Sequence, residues 1–187
     1  MDQQGALVSR DTYLASCYLE NPGMGRFRQH SLPIEAQFAP VFSTQVLDLD
    51  HDGNLNLLLT GNSYAPEFVS GWYDASFGQV LKGDGKGHFT PLAASQTGFL
   101  VEVDAIAVLA SYTRGRFSAL AGVNSGNSAA FVPKASTDRV LRLLTDARAE
   151  LTLRDGSKRR MEFYYGLGYL SQSFRAMSLS LQVQSSR

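Results

Sequence analysis

Residues 46–59 read VLDLDHDGNLNLLL, an acidic segment between two apolar runs. Counted from Asp48, oxygen-bearing side chains stand at positions 1, 3, 5 and 9, and a glycine stands at position 6. A tight turn directs alternate residues to one side, so Asp48, Asp50 and Asp52 are expected to converge, and Gly53 permits the bend. Three carboxylates this close repel one another strongly unless a cation lies among them. The segment therefore predicts a metal-binding loop between two β-strands.

Calcium (Ca²⁺) is the cation that such a loop favours, because it takes about six to eight oxygen ligands. The candidate ligands are Asp48, Asp50, Asp52, Asn54 through its carbonyl, and Asn56. An EF-hand loop begins in the same way, but it requires a glutamate at position 12, where this chain has Leu59. A shorter loop between two strands fits the spacing, and an acidic turn that faces solvent without a metal is the alternative interpretation.

Other segments show the period of two that is typical of strands. Apolar and polar residues alternate strictly between residues 176 and 184, which predicts one strand with Ser178 on its solvent-facing side. Residues 149–153 and 158–163 flank Asp155-Gly156, a pattern that predicts a hairpin with a two-residue turn.

Two glycine-rich turns suggest an internal repeat. Residues 21–25 (NPGMG) and 83–87 (GDGKG) each follow a strand-like segment and precede one that contains phenylalanine, about 60 residues apart. Asp104 corresponds to Asp48, because it stands where a second repeat would begin its loop. The residues that follow Asp104 supply no alternating oxygens, so this second loop is expected to be free of metal.

The acidic segment resembles the calcium loop of FG-GAP/VCBS repeats, which are the blades of integrin-like β-propellers. Asp48, Asp50, Asp52 and Gly53 match the Asp-x-Asp-x-Asp-Gly pattern of that loop, and Asn56 replaces its final aspartate, which removes one negative charge. The GDGKGHF segment at residues 83–89 resembles the turn between the outer strands of a blade.

The C-terminal residues resemble a second family. Residues 154–157 (RDGS) and 166–173 (GLGYLSQS) are similar to parts of the ASPIC/UnbV domain, which follows such repeats in secreted proteins. The two resemblances together imply an all-β fold. They imply a partial β-propeller of about two antiparallel blades in residues 1–133, and a C-terminal region of β-hairpin and strands in residues 134–187. Because a closed propeller needs at least about four blades, the chain is either part of a longer protein or an open stack of sheets.

Composition excludes several classes of function. The 17 basic and 17 acidic residues give no net charge, which argues against a nucleic-acid-binding protein. The longest apolar stretch, residues 99–110, is too short for a membrane span, which needs about 20 residues. Residues 1–16 lack the basic start and apolar centre of a signal peptide. Cys17 is the only cysteine, so no disulfide within the chain and no cysteine-rich zinc site is expected.

An aromatic segment is the second candidate site. Its residues are Tyr64, Glu67, Trp72, Tyr73 and Asp74. Exposed aromatic rings beside carboxylates suit a sugar or a protein partner, whereas buried rings would fill the space between blades. Glu67 and Asp74 could also serve as the acid and nucleophile of a glycosidase.

These observations favour a non-catalytic, calcium-binding recognition or adhesion module whose partner is a protein or glycan at the cell surface. The family resemblance implies the extracellular or cell-surface setting. Two alternatives stay open, namely a fragment of a propeller-type carbohydrate-active enzyme and a purely structural domain.

Overall fold

The computed structural model describes residues 12–65, 69, 71–124, 126–133, 139–142, 147–166, 168–179 and 183–186. In these residues the chain forms β-strands, with one 3₁₀ turn at Ile34–Gln37 and one helical turn, α1, at Ala94–Thr97. The strands are β1 Cys17–Gly23, β2 Arg26–Ser31, β3 Val41–Leu47, β4 Asn56–Gly61, β5 Gln79–Gly83, β6 Phe89–Leu92, β7 Ala105–Thr113, β8 Arg116–Val123, β9 Ala129–Phe131, β10 Arg139–Arg142, β11 Arg148–Leu153, β12 Lys158–Glu162, β13 Ala176–Leu179 and β14 Val183–Ser186. Within this part of the chain, no helix is long and apolar enough to cross a membrane.

The strands pair into small antiparallel sheets. The largest has the strand order β3-β4-β5-β6, and the next along the chain has the order β7-β8-β9. Each of these two is a meander of sequential strands, as a propeller blade is. The C-terminal strands form the sheets β12-β11-β14 and β10-β13. The all-β prediction, with about two blade-like sheets followed by a C-terminal β region, is confirmed.

The chain divides into two compact units, Met1–Leu32 and Pro33–Arg187. In the first, β1 and β2 form a hairpin, as the glycine-rich turn at residues 21–25 predicted. The second unit contains both blade-like sheets and the C-terminal strands. The boundary predicted between residues 133 and 134 stays a prediction.

Strand β4 lies at the centre of the four-stranded sheet, and all six of its residues are buried. Its run of leucines suits this place, because β3 and β5 cover both of its edges. Leu58 of β4 and Val80 of β5 belong to a hydrophobic core that also includes Val108 of β7. Each such side chain contributes roughly 1.5–3 kcal/mol on burial. This core holds the end of β3 and the start of β4 in place.

The prediction that a second loop begins at Asp104 is wrong. Strand β7 begins at the next residue, Ala105, because the residues that follow are apolar and mostly buried. Asp104 instead pairs with Asn124, which follows β8, at the open end of the β7–β8 hairpin. Its carbonyl accepts a hydrogen bond from the Asn124 backbone at 2.8 Å, and its Oδ2 accepts one from Asn124 Nδ2 at 3.2 Å.

The strand predicted over residues 176–184 is divided between two sheets. Strand β13 pairs with β10, whereas β14 pairs with β11, and residues 180–182 lie outside the described residues. Ser178 is buried rather than exposed to solvent, and its backbone N–H donates to Tyr112 Oη at 3.2 Å.

The hairpin of β11 and β12 is confirmed, but its turn is longer than predicted. The N–H of Leu153 donates to the Ser157 carbonyl at 2.9 Å. The turn therefore contains three residues, 154–156, instead of the two that were predicted. Gly156 closes this turn at a φ of 83°. A left-handed residue after a type I turn is the common solution for a three-residue hairpin loop.

Candidate metal centre

The acidic loop, residues 48–55, joins β3 to β4. The pair formed by Leu47 and Asn56 is the last in the register of these two strands, so the loop begins and ends at neighbouring positions. The chain reverses there through two residues with positive φ, His51 at 59° and Gly53 at 91°. The sequence prediction of a tight loop between two strands is therefore confirmed.

Side chains of the loop region hold its backbone. Three oxygens accept hydrogen bonds from backbone N–H groups: Asp48 Oδ2 from Gly53 at 3.1 Å, Asn56 Oδ1 from Leu49 at 2.8 Å, and Asp52 Oδ1 from Asn54 at 2.8 Å. Short polar side chains stabilise turns in this way, because their oxygens replace the carbonyl partners that the turn removes.

Asp48, Asp50 and Asp52 converge as their spacing predicted. Each offers a carboxylate oxygen, and these oxygens all lie within 4.8 Å of one another. Ligands of one calcium ion lie about 2.3–2.6 Å from it and so within roughly 5 Å of one another. The three aspartates could hold a metal ion.

Asp48 differs from the other two aspartates in being buried, with 8 % of its surface exposed. Among the residues that the structure describes, its Oδ1 atom has no hydrogen-bond partner. Burial raises the pKa of Asp48, and the hydrogen bond from Gly53 opposes that rise. A buried carboxylate oxygen without a partner is unfavourable, and a cation among the three carboxylates would satisfy it.

Lys82 provides positive charge beside the exposed members of the cluster. Its Nζ lies 2.5 Å from Asp50 Oδ2 and 3.2 Å from Asp52 Oδ2. Partial burial works to raise the pKa of Asp52, but the hydrogen bonds from Asn54 and Lys82 hold it below its ordinary value. The bonds to Asp50 and then to Asp52 raise the pKa of Lys82.

The two asparagines of the candidate ligand set have structural contacts of their own. Asn56 is buried, and its Oδ1 is the acceptor for Leu49 N–H. Asn54 Oδ1 lies so close to Gly85 that a Cβ at that position would be 2.3 Å from it. Metal ligation by Asn54 and Asn56 stays a prediction.

Two residues that contact the acidic loop, Arg159 and Lys82, were not predicted from the sequence. Arg159 of β12 donates from Nη2 to the Gly53 carbonyl at 2.5 Å, although the two residues are 106 positions apart. Local sequence holds no sign of either contact, since each depends on which strands lie beside the loop. A hairpin with the RDGS turn was predicted, but its position was not.

A pocket of ≈ 80 Å³ lies between β3 and the C-terminal strands. Asp48, Arg159 and Glu162 line it together with Leu151, Met161 and other mostly apolar residues. A space of this size accommodates a few water molecules but no sizeable substrate.

The aromatic segment presents a stacked pair. The rings of Tyr64 and Trp72 lie 4.7 Å apart with an angle of 14° between their planes, and 66 % of Trp72 is exposed. Tyr73 pairs with Ser63 through two backbone hydrogen bonds of 2.8 and 2.9 Å. Asp74 is exposed, while Glu67 lies outside the described residues. The glycosidase pair of Glu67 and Asp74 therefore stays a prediction.

Comparison with protein-family models, with curated proteins and with solved structures found no match. The resemblance to FG-GAP/VCBS repeats and to the ASPIC/UnbV domain thus stays a prediction, and it rests on the residues quoted for it.

Proposed function

We propose that this chain is a non-catalytic recognition module of an extracellular or cell-surface protein, and that calcium stabilises its acidic loop. Asp48, Asp50 and Asp52 would hold the ion, with oxygens of Asn54 and Asn56 as further ligands. The ion would supply charge neutralisation and rigidity. The extracellular setting is supported by the family resemblance alone.

One observation carries the metal proposal, namely that the unpartnered Oδ1 of buried Asp48 lies in a cluster of three carboxylates. The unpartnered atom is not sufficient by itself. Asp104 is also buried with an unpartnered Oδ1 in the described part of the chain, yet it joins no such cluster. Water in the neighbouring pocket is the competing partner for Asp48, because that residue also lines the pocket.

The recognition part of the proposal is supported by the aromatic pair. Tyr64 is held from two sides, since its ring stacks on Trp72 and its hydroxyl donates to the Glu102 carbonyl at 3.4 Å. Trp72 keeps most of its surface exposed, although apolar rings are usually buried. A pre-ordered, exposed aromatic surface suits the apolar face of a sugar ring or an aromatic-rich protein surface.

Calcium titration tests the metal proposal. A ligand at 100 times its dissociation constant stabilises the folded state by about 2.7 kcal/mol, and for a chain of this size that raises Tm by about 5–10 °C. We expect this shift for the natural chain, a much smaller one for Asp50→Asn, and an unchanged one for the control Asp74→Asn. Equal Tm values with calcium and with a chelator for all three proteins would refute the metal proposal.

Binding to glycan and protein arrays tests the recognition proposal. Trp72→Ala removes an exposed ring, so we expect it to abolish array binding while Tm changes by less than about 2 °C. Phe77→Ala, which removes another half-exposed ring, is the matched control. Binding that survives in Trp72→Ala would place the recognition surface elsewhere.

A further inference from the structure

Lys82 reaches the acidic loop from the neighbouring strand. It follows Leu81 of β5, which pairs with Leu57 of β4, so its backbone lies beside the point where the acidic loop ends. Leu81 is fully buried and Val80 nearly so, and these two residues fix the strand in the core. The position of Lys82 is thus set by core packing and not by a mobile segment.

The Lys82 ammonium group contacts the two exposed carboxylates of the cluster. Asp50 and Asp52 accept from it, whereas buried Asp48 accepts from the Gly53 N–H. With the three aspartates ionised, the cluster carries three negative charges, and the lysine leaves 3 − 1 = 2 of them. Lys82 is therefore a partial, built-in substitute for a metal ion.

We infer that Lys82 competes with a divalent cation for Asp50 and Asp52, and so sets the calcium affinity of the acidic loop. This inference rests on the proposed function. It concerns a residue outside the loop motif, which spacing within the loop does not indicate.

Competition follows from charge and geometry. An ammonium group 2.5 Å from Asp50 Oδ2 uses a lone pair that a metal would also need, and it repels any second cation held there. The lysine side chain is 43 % exposed, and its flexible stem can turn to solvent without disturbing the core. Metal binding thus requires either release of Lys82 or acceptance of the repulsion, and both weaken the affinity.

Lys82→Met tests this inference, because methionine keeps a long apolar stem and removes the charge. Calcium binding is measured by titration calorimetry at low ionic strength, and Tm is measured with calcium and with a chelator. We expect the variant to bind calcium roughly 3- to 30-fold more tightly than the natural chain. We also expect a lower Tm in chelator and a larger rise on adding calcium, because the carboxylates lose their only bonded lysine within the described residues.

Lys86→Met is the matched control, since Lys86 lies exposed in the turn that follows β5. It should leave both the affinity and Tm unchanged. Lys82→Arg is a second variant that keeps the charge, and we expect it to bind calcium no more tightly than the natural chain. It keeps the test valid even if Lys82→Met unfolds in chelator.

The outcomes separate this inference from the proposed function. Equal calcium affinity in the natural chain and Lys82→Met overturns the competition and leaves the calcium module intact. Binding by Lys82→Met alone supports the competition and overturns calcium as a ligand of the natural chain. Absence of binding in every variant overturns both.

Discussion

The guanidinium group of Arg159 donates a hydrogen bond to the backbone carbonyl of Gly53 at 2.5 Å. Arg159 lies on β12, so the C-terminal hairpin is bonded to the backbone of a loop that belongs to another sheet. Hydrogen bonds that involve a charged group contribute about 1.5–3 kcal/mol. The C-terminal region and the candidate metal centre are thereby joined.

Arg159→Met should destabilise the protein by about 1.5–3 kcal/mol, which lowers Tm by about 3–12 °C. It should also weaken calcium binding, because the loop between Asp48 and Gly53 loses its hydrogen bond from Arg159. Arg160→Met is the control, since Arg160 is on the same strand but contacts Glu162 near the surface. Thermal unfolding and calcium titration of the two variants give the measurement, and equal effects would contradict the role assigned to Arg159.

Gly53→Ala tests the backbone of the same bend. Residues with a side chain are strained at a φ near 91°, by about 1–3 kcal/mol. The alanine variant should therefore lower the urea midpoint of unfolding. Gly53→Asn should lower it less, because asparagine tolerates left-handed conformations better than alanine does. A midpoint that falls at least as far for Gly53→Asn as for Gly53→Ala would indicate a loss of space and not backbone strain, because asparagine has the larger side chain.

The sequence predicted correctly those features that depend on residues close together in the chain. The acidic loop, the hairpin of β11 and β12, and the convergence of three aspartates all follow from spacing within a few residues. Lys82 and Arg159 escaped prediction because their contacts depend on strand order and sheet packing. The strand expected at residues 176–184 failed for a related reason, since its two parts pair with different strands, β10 and β11.

Because Asp48 is a buried carboxylate, we expect its replacement to stabilise the metal-free protein and to weaken metal binding. In chelator at neutral pH, Asp48→Asn should be more stable than the natural chain, because it removes a charge that burial disfavours. Asparagine can still accept from Gly53 through its carbonyl oxygen, so the turn keeps that bond. The same variant should lose the calcium-induced rise in Tm. A variant less stable than the natural chain in chelator would show that Asp48 is satisfied by other groups.

The difference in stability between Asp48→Asn and the natural chain should change with pH in a definite direction. The folded-state pKa of Asp48 lies above its ordinary value of 3.8, so the folded protein retains a proton that the unfolded chain releases. Stability due to Asp48 is therefore lost as pH rises from 3.8 through the raised pKa. Asp52 acts in the opposite direction, because its pKa is lowered and its contribution is lost as pH falls below 3.8. Since Asp52 is present in both proteins, Asp48→Asn should gain on the natural chain as pH rises, measured by urea unfolding in chelator.

A partly buried polar network attaches the residues before β13 to the four-stranded sheet β3-β4-β5-β6. Gln45 of β3 donates from Nε2 to the Val108 carbonyl at 2.9 Å and accepts from Ser173 Oγ at 2.7 Å. Ser173 Oγ in turn accepts from the Ala110 backbone N–H at 3.1 Å. One glutamine side chain thus bonds both the second sheet and a C-terminal segment 128 residues away.

Gln45→Met should destabilise the protein by about 1–3 kcal/mol, because it leaves the partly buried Ser173 hydroxyl without its acceptor. Thr44→Met, at the exposed neighbouring position of β3, is the control and should change stability by less than about 0.5 kcal/mol. If the bond joins the two segments, the effects of Gln45→Met and Ser173→Ala overlap. The double variant should then fall short of the sum by about 0.5–2 kcal/mol in urea unfolding. Additive losses would mean that the C-terminal segment is held by its apolar contacts with the core, with Gln45 and Ser173 satisfied independently.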